Sequence, residues 1–234
     1  MTLKQDLEST VWEIFHDDHW TIRDGQVVPD PEDLRLGNDG INLNATVLYA
    51  DMSGSTRLVD TKKATFAAEV YKTYLACAAR IIKNEGGGVT AYDGDRVMAV
   101  FINRDNKNTS AVRAAFKING AVETVIMPAL QKEYPQTDYE LKHVIGIDTS
   151  KLLVSRIGVR NDNDLVWVGR AANYAAKLSN LSDEVAIRIT HSVYDVMNES
   201  VKIGGANKEN MWEERSWTDM NKMKIYRSNW YFNV

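Results

Sequence analysis

The amino-acid sequence predicts an α+β fold, an antiparallel sheet with covering helices, on three observations. Short β-rich runs alternate with longer stretches whose apolar residues recur at helical spacing. Two of the β-rich runs flank Asp93-Gly94, a favoured two-residue hairpin turn. Glycine clusters and charged loops separate the remaining elements.

Residues 1–18 carry Leu3, Leu7, Val11, Ile14 and Phe15 near helical spacing and predict an amphipathic helix. Residues 19–41 hold Pro29, Pro31, many charges and several glycines, which reads as a connecting loop. The chain thus divides into an N-terminal helix and loop over 1–40 and a main domain over 41–234. Thr46–Ala50 is a β-rich run that ends at Asp51, in the loop Asp-Met-Ser-Gly-Ser-Thr56. A helix follows, with Phe66, Val70, Tyr74, Ala78 and Ile81 on one face, and stops at Gly86-Gly-Gly88. Val89–Tyr92 and Arg96–Phe101 form the hairpin strands, and a second helix runs from Thr109 to Lys132. Leu141–Ile147 is a strand and Leu152–Val154 another; Asp162-Asn-Asp164 is a turn before Leu165–Val168. Residues 170–180 are helical, Val185–Thr190 is a strand, and Met211–Val234 carries the last strands. The order β-α-β-β-α-β is the ferredoxin-like pattern.

The 234 residues suffice for a substantial core, and a net charge of −4 gives no reason to expect nucleic acid or a membrane surface as partner. A polyanionic substrate then needs a local positive site or metal ions. One cysteine, Cys77, excludes an internal disulfide. No run approaches the 18 apolar residues of a membrane span, and the N-terminus has no apolar signal core. The expected location is the cytoplasm.

The predicted topology brings Asp51 and Asp95 together. The first strand ends where the third begins, beside it in a ferredoxin-like sheet. Two adjacent carboxylates repel unless a cation joins them, and hard oxygen ligands suit Mg²⁺ or Mn²⁺. The Met52 carbonyl is a further candidate ligand. Gly54, flanked by Ser53, Ser55 and Thr56, leaves backbone N–H groups to face phosphate oxygens. Each piece alone also fits a plain turn or cap. Arg96, beside Asp95, is a candidate substrate contact, but adjacent strand residues face opposite sides, which favours a surface ion pair.

At these residues the sequence resembles the class III nucleotidyl cyclases. Val-Leu-Tyr-Ala-Asp51-Met-Ser-Gly54-Ser-Thr56 resembles the first metal motif, and Gly94-Asp95-Arg-Val-Met-Ala-Val-Phe101 the second. Val168-Gly169-Arg-Ala-Ala-Asn173-Tyr-Ala-Ala-Lys177-Leu178 resembles the third, in which the family usually has Arg where Lys177 stands. The resemblance implies a head-to-tail homodimer acting on a nucleoside triphosphate, with two divalent ions, Mn²⁺ or Mg²⁺, at each composite site. Asp51 and Asp95 of one subunit hold the ions. Asn173 of the other positions the ribose, and Lys177 offsets charge on the α-phosphate. Lysine keeps the charge but lacks the planar fork of arginine. Without the motif, Asn173 and Lys177 are simply a helix surface.

Purine-specific members of the family commonly carry a Lys three residues before the second-motif glycine and a polar residue three before the third-motif glycine. Here those positions are Ala91 and Val166, which have no hydrogen-bonding side chain. Tyr49 stands where the family often has Phe, two residues before Asp51 and on its sheet face. It either occupies purine space or is a core aromatic. The two metal-motif loops look like those of the Pycsar pyrimidine cyclases of bacterial anti-phage defence, which implies UTP, or else CTP, as substrate and a separate effector that reads the cyclic product. A purine cyclase and a non-catalytic nucleotide sensor are the competing readings. The C-terminal Lys222, Lys224 and Arg227 are candidates for phosphate contact or for a solvated face, with Lys222 and Lys224 on one side of a strand.

Overall fold

The computed structural model describes residues 2–16, 19–103 and 105–234. In chain order the elements are α1 (Leu3–His16), β1 (Thr21–Asp24), β2 (Asp39–Ser53), α2 (Ser55–Thr61), α3 (Ala64–Asn84), β3 (Gly88–Asp93) and β4 (Arg96–Phe101). There follow α4 (Lys107–Ala121), a π turn (Val122–Ile126), α5 (Met127–Glu133), β5 (Lys142–Val159), β6 (Asp162–Val168), α6 (Arg170–Ser179), β7 (Ile187–Thr190) and α7 (His191–Val196). The short pair β8 (Ile203–Gly204) and β9 (Glu209–Asn210) stands apart, and β10 (Glu213–Trp217) and β11 (Met223–Ser228) close the chain.

The main sheet runs β10-β11-β7-β5-β2-β4-β3, with β1 paired to β2 and β6 to β5. Its β5-β2-β4-β3 part is the ferredoxin-like order, and β2 is antiparallel to both neighbours. Because β2 is central, both its faces are buried. Leu48, Ala50 and Met52 face one core with Val70 and Tyr74 of α3 and Val112 and Phe116 of α4. Leu43, Ala45 and Val47 face a second core with Ala171, Ala172 and Ala175 of α6.

Several boundaries differ from the sequence reading. Residues 19–41 are not all loop: β1 pairs with the start of β2, which begins at Asp39 rather than Thr46. β1 is a fully exposed edge strand and gave no apolar signal, and Asn42 and Asn44 break the pattern of β2. Leu141–Ile147 and Leu152–Val154 are one continuous strand, β5. The turn before β6 is Arg160-Asn161, with Asn161 at φ 68°, so Asp162–Asp164 lie inside β6. The predicted helix over 109–132 is interrupted by the π turn. Pro128 lacks an N–H and its ring crowds the carbonyl four residues back, which forces the wider turn. Within α3, Ile82 is fully buried, whereas Ile81 is only partly covered. Residues 17 and 18 of the expected N-terminal helix lie outside the described residues. Among those described, no helix is long and apolar enough to cross a membrane.

Candidate active site

The hairpin between β3 and β4 turns on Gly94-Asp95, one residue later than the sequence suggested. Gly94 has φ 60°, which an L side chain rarely adopts and which suits the first position of a tight hairpin turn. Asp95 is therefore on the loop itself, next to the end of β2. The Met52 amide donates to the Asp95 carbonyl at 3.4 Å, so Asp51, Met52 and Asp95 share one edge of the sheet. Burial, and then the charge of Asp95, push the Asp51 pKa up to about 6, with Arg96 acting in the other direction.

Arg96 pairs with Asp93 at 2.5 Å, as a surface ion pair. It stands directly opposite Asp51 in the β2–β4 register, and its guanidinium lies 5.8 Å from the Tyr49 ring centroid. Cross-strand partners share a sheet face, so Arg96, Asp51 and Tyr49 line the same surface.

Tyr49, Met98 and Ala91 form one row across β2, β4 and β3. The Tyr49 hydroxyl donates to Met98 Sδ at 3.0 Å, a weak acceptor. Val166 does not join this row. Its neighbours Leu165 and Trp167 pack on the cluster that includes Tyr49 and Ala91, and strand alternation turns Val166 to the other face.

Asn173 and Lys177 lie exposed, four residues apart on the outer face of α6, and touch neither aspartate of their own protomer. The Lys177 ammonium is 3.8 Å from Met220 Sδ. Two devices fix this helix. Gly146, opposite Tyr49 on β5, lets the backbone of α6 pass so close that a Cβ there would lie 2.1 Å from the Ala175 carbonyl. Arg170 in its first turn bonds the buried Asp148 at 3.0 Å, the Thr149 carbonyl at 2.7 Å and Ser192 at 3.1 Å. Sequence reading had no signal for either device, because both depend on β5 and α6 meeting.

The Ser53-Gly54 loop, with Ser55 and Thr56 beginning α2, opens on a cleft of about 470 Å³ that also takes in Arg57, Lys62 and Lys142. These cations are scattered along the sequence and meet only in the fold. Lys62 is paired with Asp138, whereas no ion pair is found for Arg57 or Lys142 among the described residues. On the C-terminal hairpin, Lys224 pairs with Glu214 and Arg227 with Glu213. Lys222 precedes β11 at φ 56°, in the turn, so strand alternation does not place it beside Lys224.

The pair Asp51 and Asp95 fits a hard divalent cation. Both donors are oxygens, their charges disfavour each other, and the buried hydroxyls of Tyr74 and Tyr139 nearby have no hydrogen-bond partner among the described residues. The two tyrosines feel these carboxylates. Burial raises the Tyr74 pKa first, and the charges of Asp51 and Asp95 add to it. Burial, then Tyr71 and Asp95, push Tyr139 up to about 12. Among the described residues, no three His, Cys, Asp or Glu side chains are gathered to hold an ion by themselves. A main-chain carbonyl and substrate phosphates would have to complete the shell.

The adenylate and guanylate cyclase catalytic domain matches residues 42–226. The chain is 52% identical to a uridylate cyclase of Burkholderia cepacia and 50% identical to one of Xanthomonas perforans, each over all of both chains. Among solved structures, the guanylyl cyclase Cya2 covers 82% of this chain and is itself covered to 95%, at TM-score 0.67 and 18% identity. The adenylyl cyclase CyaB from P. aeruginosa gives TM-score 0.66 at 20% identity, with 81% and 95% covered. These two establish the fold, and the family match and the full-length relatives establish the lineage. The chain belongs to the adenylate and guanylate cyclase catalytic-domain family and is a nucleotide cyclase.

Proposed function

We propose that the protein converts UTP to 3′,5′-cyclic UMP and pyrophosphate, using two divalent ions, Mn²⁺ or Mg²⁺, at sites shared between the subunits of a homodimer. The full-length identity of 52% to a uridylate cyclase carries the choice of substrate. The row Tyr49–Met98–Ala91 agrees with it, offering one hydroxyl and no charged group to a base.

Asp51, Asp95 and the Met52 carbonyl would hold the ions. When bound, these lower the pKa of the ribose 3′-hydroxyl and offset charge on the triphosphate. The Ser53–Thr56 loop, with Arg57 and Lys142 beside it, receives the phosphates. Asn173 of the partner subunit holds the ribose. Lys177 of the partner subunit meets the charge that grows on the α-phosphate as the 3′-oxygen attacks and pyrophosphate departs. Both side chains project from α6 into solvent, which is what a composite site requires of them. Ala91 and Val166 have no polar side chain with which to select a purine. The product serves as a signal read by a separate effector in bacterial anti-phage defence, in the cytoplasm.

Incubation with the four nucleoside triphosphates and Mn²⁺, followed by mass identification of the products, tests the reading. Cyclic UMP is expected to dominate. Dominant cyclic CMP would replace UTP with CTP, and dominant cyclic AMP or cyclic GMP would overturn the pyrimidine assignment.

A further inference from the structure

At the opposite end of β2 from Asp51 lies a cavity of about 800 Å³, walled by Asp24, Asn42, Asn44, Asn103, Lys107 and Lys151, among others. Asn44 precedes Asp51 by seven residues, roughly 23 Å at the usual strand rise, so the cavity is separate from the cyclase site.

Its chemistry is unbalanced in one direction. Lys107, in the first turn of α4, is only 9% exposed, yet its ammonium has no ion pair and no hydrogen bond among the described residues. Natural proteins rarely leave a lysine so covered without a counter-charge. Burial lowers its pKa, and an anion in the cavity would relieve that cost. Lys151 is the cross-strand partner of Asn44, so its ammonium stem leaves the same sheet face. Asn42 and Asn44, two apart on β2, share that face and have no side-chain hydrogen bond among the described residues. Asn108, next to Lys107, bonds Thr46 at 2.8 Å and locks the start of α4 above these amides. Among the described residues, the one carboxylate in the wall is Asp24, against two ammonium groups.

We infer that this cavity is a second binding site, for a phosphate group, with Lys107 and Lys151 as its cations and Asn42 and Asn44 as neutral hydrogen-bonding partners. The volume falls within the range of small-molecule sites, so the phosphate comes either free or on a sugar or nucleoside.

Calorimetric titration of the full-length protein in chelator, with inorganic phosphate and with ribose 5-phosphate, tests this. Chelator strips the cyclase site of metal, so any phosphate bound there rests on Arg57 and Lys142. Saturable binding is expected, weakened about ten-fold or more by Lys107→Gln and untouched by Asp51→Ala. Tighter binding of ribose 5-phosphate assigns the site to phosphoesters, and equal binding assigns it to free phosphate. Should Lys107→Gln fail to fold, Lys151→Gln combined with Asn44→Leu is expected to show the same loss. No saturable binding of either probe at millimolar concentration, or loss through Arg57→Gln with no loss through the lysine variant, would overturn the assignment.

Discussion

Tyr49 and Gly146 face each other across β2 and β5, and the missing side chain at 146 is what allows α6 to cross the sheet beside the tyrosine. The height of Asn173 and Lys177 above the sheet is set there. Gly146→Ala should therefore lift α6 and cost about 1–3 kcal/mol of stability, with turnover falling further than the stability loss explains. Thermal unfolding and rate measurements on the same sample check both halves.

Removing either carboxylate should abolish product while leaving the fold. Asp51→Asn and Asp95→Asn are expected to lower turnover by about a hundred-fold or more in saturating Mn²⁺. In chelator at pH 7.5, Asp51→Asn should melt higher than the parent, by roughly 1 kcal/mol after allowance for solvent screening, because a strained charge is gone. A lower melting temperature would mean that burial and Asp95 do not disfavour the Asp51 charge.

The same shift has a pH signature. With its folded pKa raised to about 6, Asp51 binds its proton more tightly in the folded state. The metal-free protein gains that stability in full below about pH 4 and loses it as pH rises through 6. Protons and cations compete for one oxygen pair, so apparent Mn²⁺ affinity should fall as pH drops below about 6. A flat affinity between pH 5 and pH 7.5, read by calorimetry, would contradict this.

His143 acts in the other direction. It is buried, its Nε2 donates to the Asn119 Oδ1 at 3.1 Å, and burial lowers its pKa to about 4. The unfolded chain binds a proton near pH 6.5 that the folded chain refuses, so stability is lost between about 6.5 and 4 as pH falls. The loss amounts to about 3 kcal/mol, and denaturant unfolding of the parent and His143→Gln across that range measures it. The variant should show a shallower decline, whatever its starting stability.

Asp51 and Lys177 are proposed to serve one site from two subunits, and a mixing experiment separates this from a site within one chain. Asp51→Ala and Lys177→Ala should each be inactive alone. An equimolar mixture allowed to exchange subunits should recover about a quarter of the parent rate, since half of the dimers carry one intact site. No recovery after verified exchange would place both residues in a single protomer's site.

Much of this was legible in the sequence wherever one element carried the information. The α3 stripe of Phe66, Val70, Tyr74 and Ala78 faces the core, and the hairpin strands lie within one residue of their expected limits. The ends of β2 were obscured because Asn42 and Asn44 interrupt it, and β1 was hidden because an exposed edge strand has no apolar period. Of the site, Asp51 and Asp95 could be found because topology alone joins them. The place of Arg96 opposite Asp51 follows from the β2–β4 register, which no single segment shows. The anchors of α6, Gly146 and the Asp148–Arg170 pair, and the cations Arg57 and Lys142 depend on contacts between distant segments, which no local pattern announces.

The two-residue loop Gly94-Asp95 leaves that aspartate no slack: one inserted residue would change the hairpin register and carry the carboxylate away from Asp51. Tyr49, Met98 and Ala91 lie on ordinary strand positions, where one side chain can be exchanged without moving the backbone. A lineage built this way can change the molecule it reads by single mutations while its reactive centre stays fixed. Divergence among such proteins should therefore collect along that row and spare the turn.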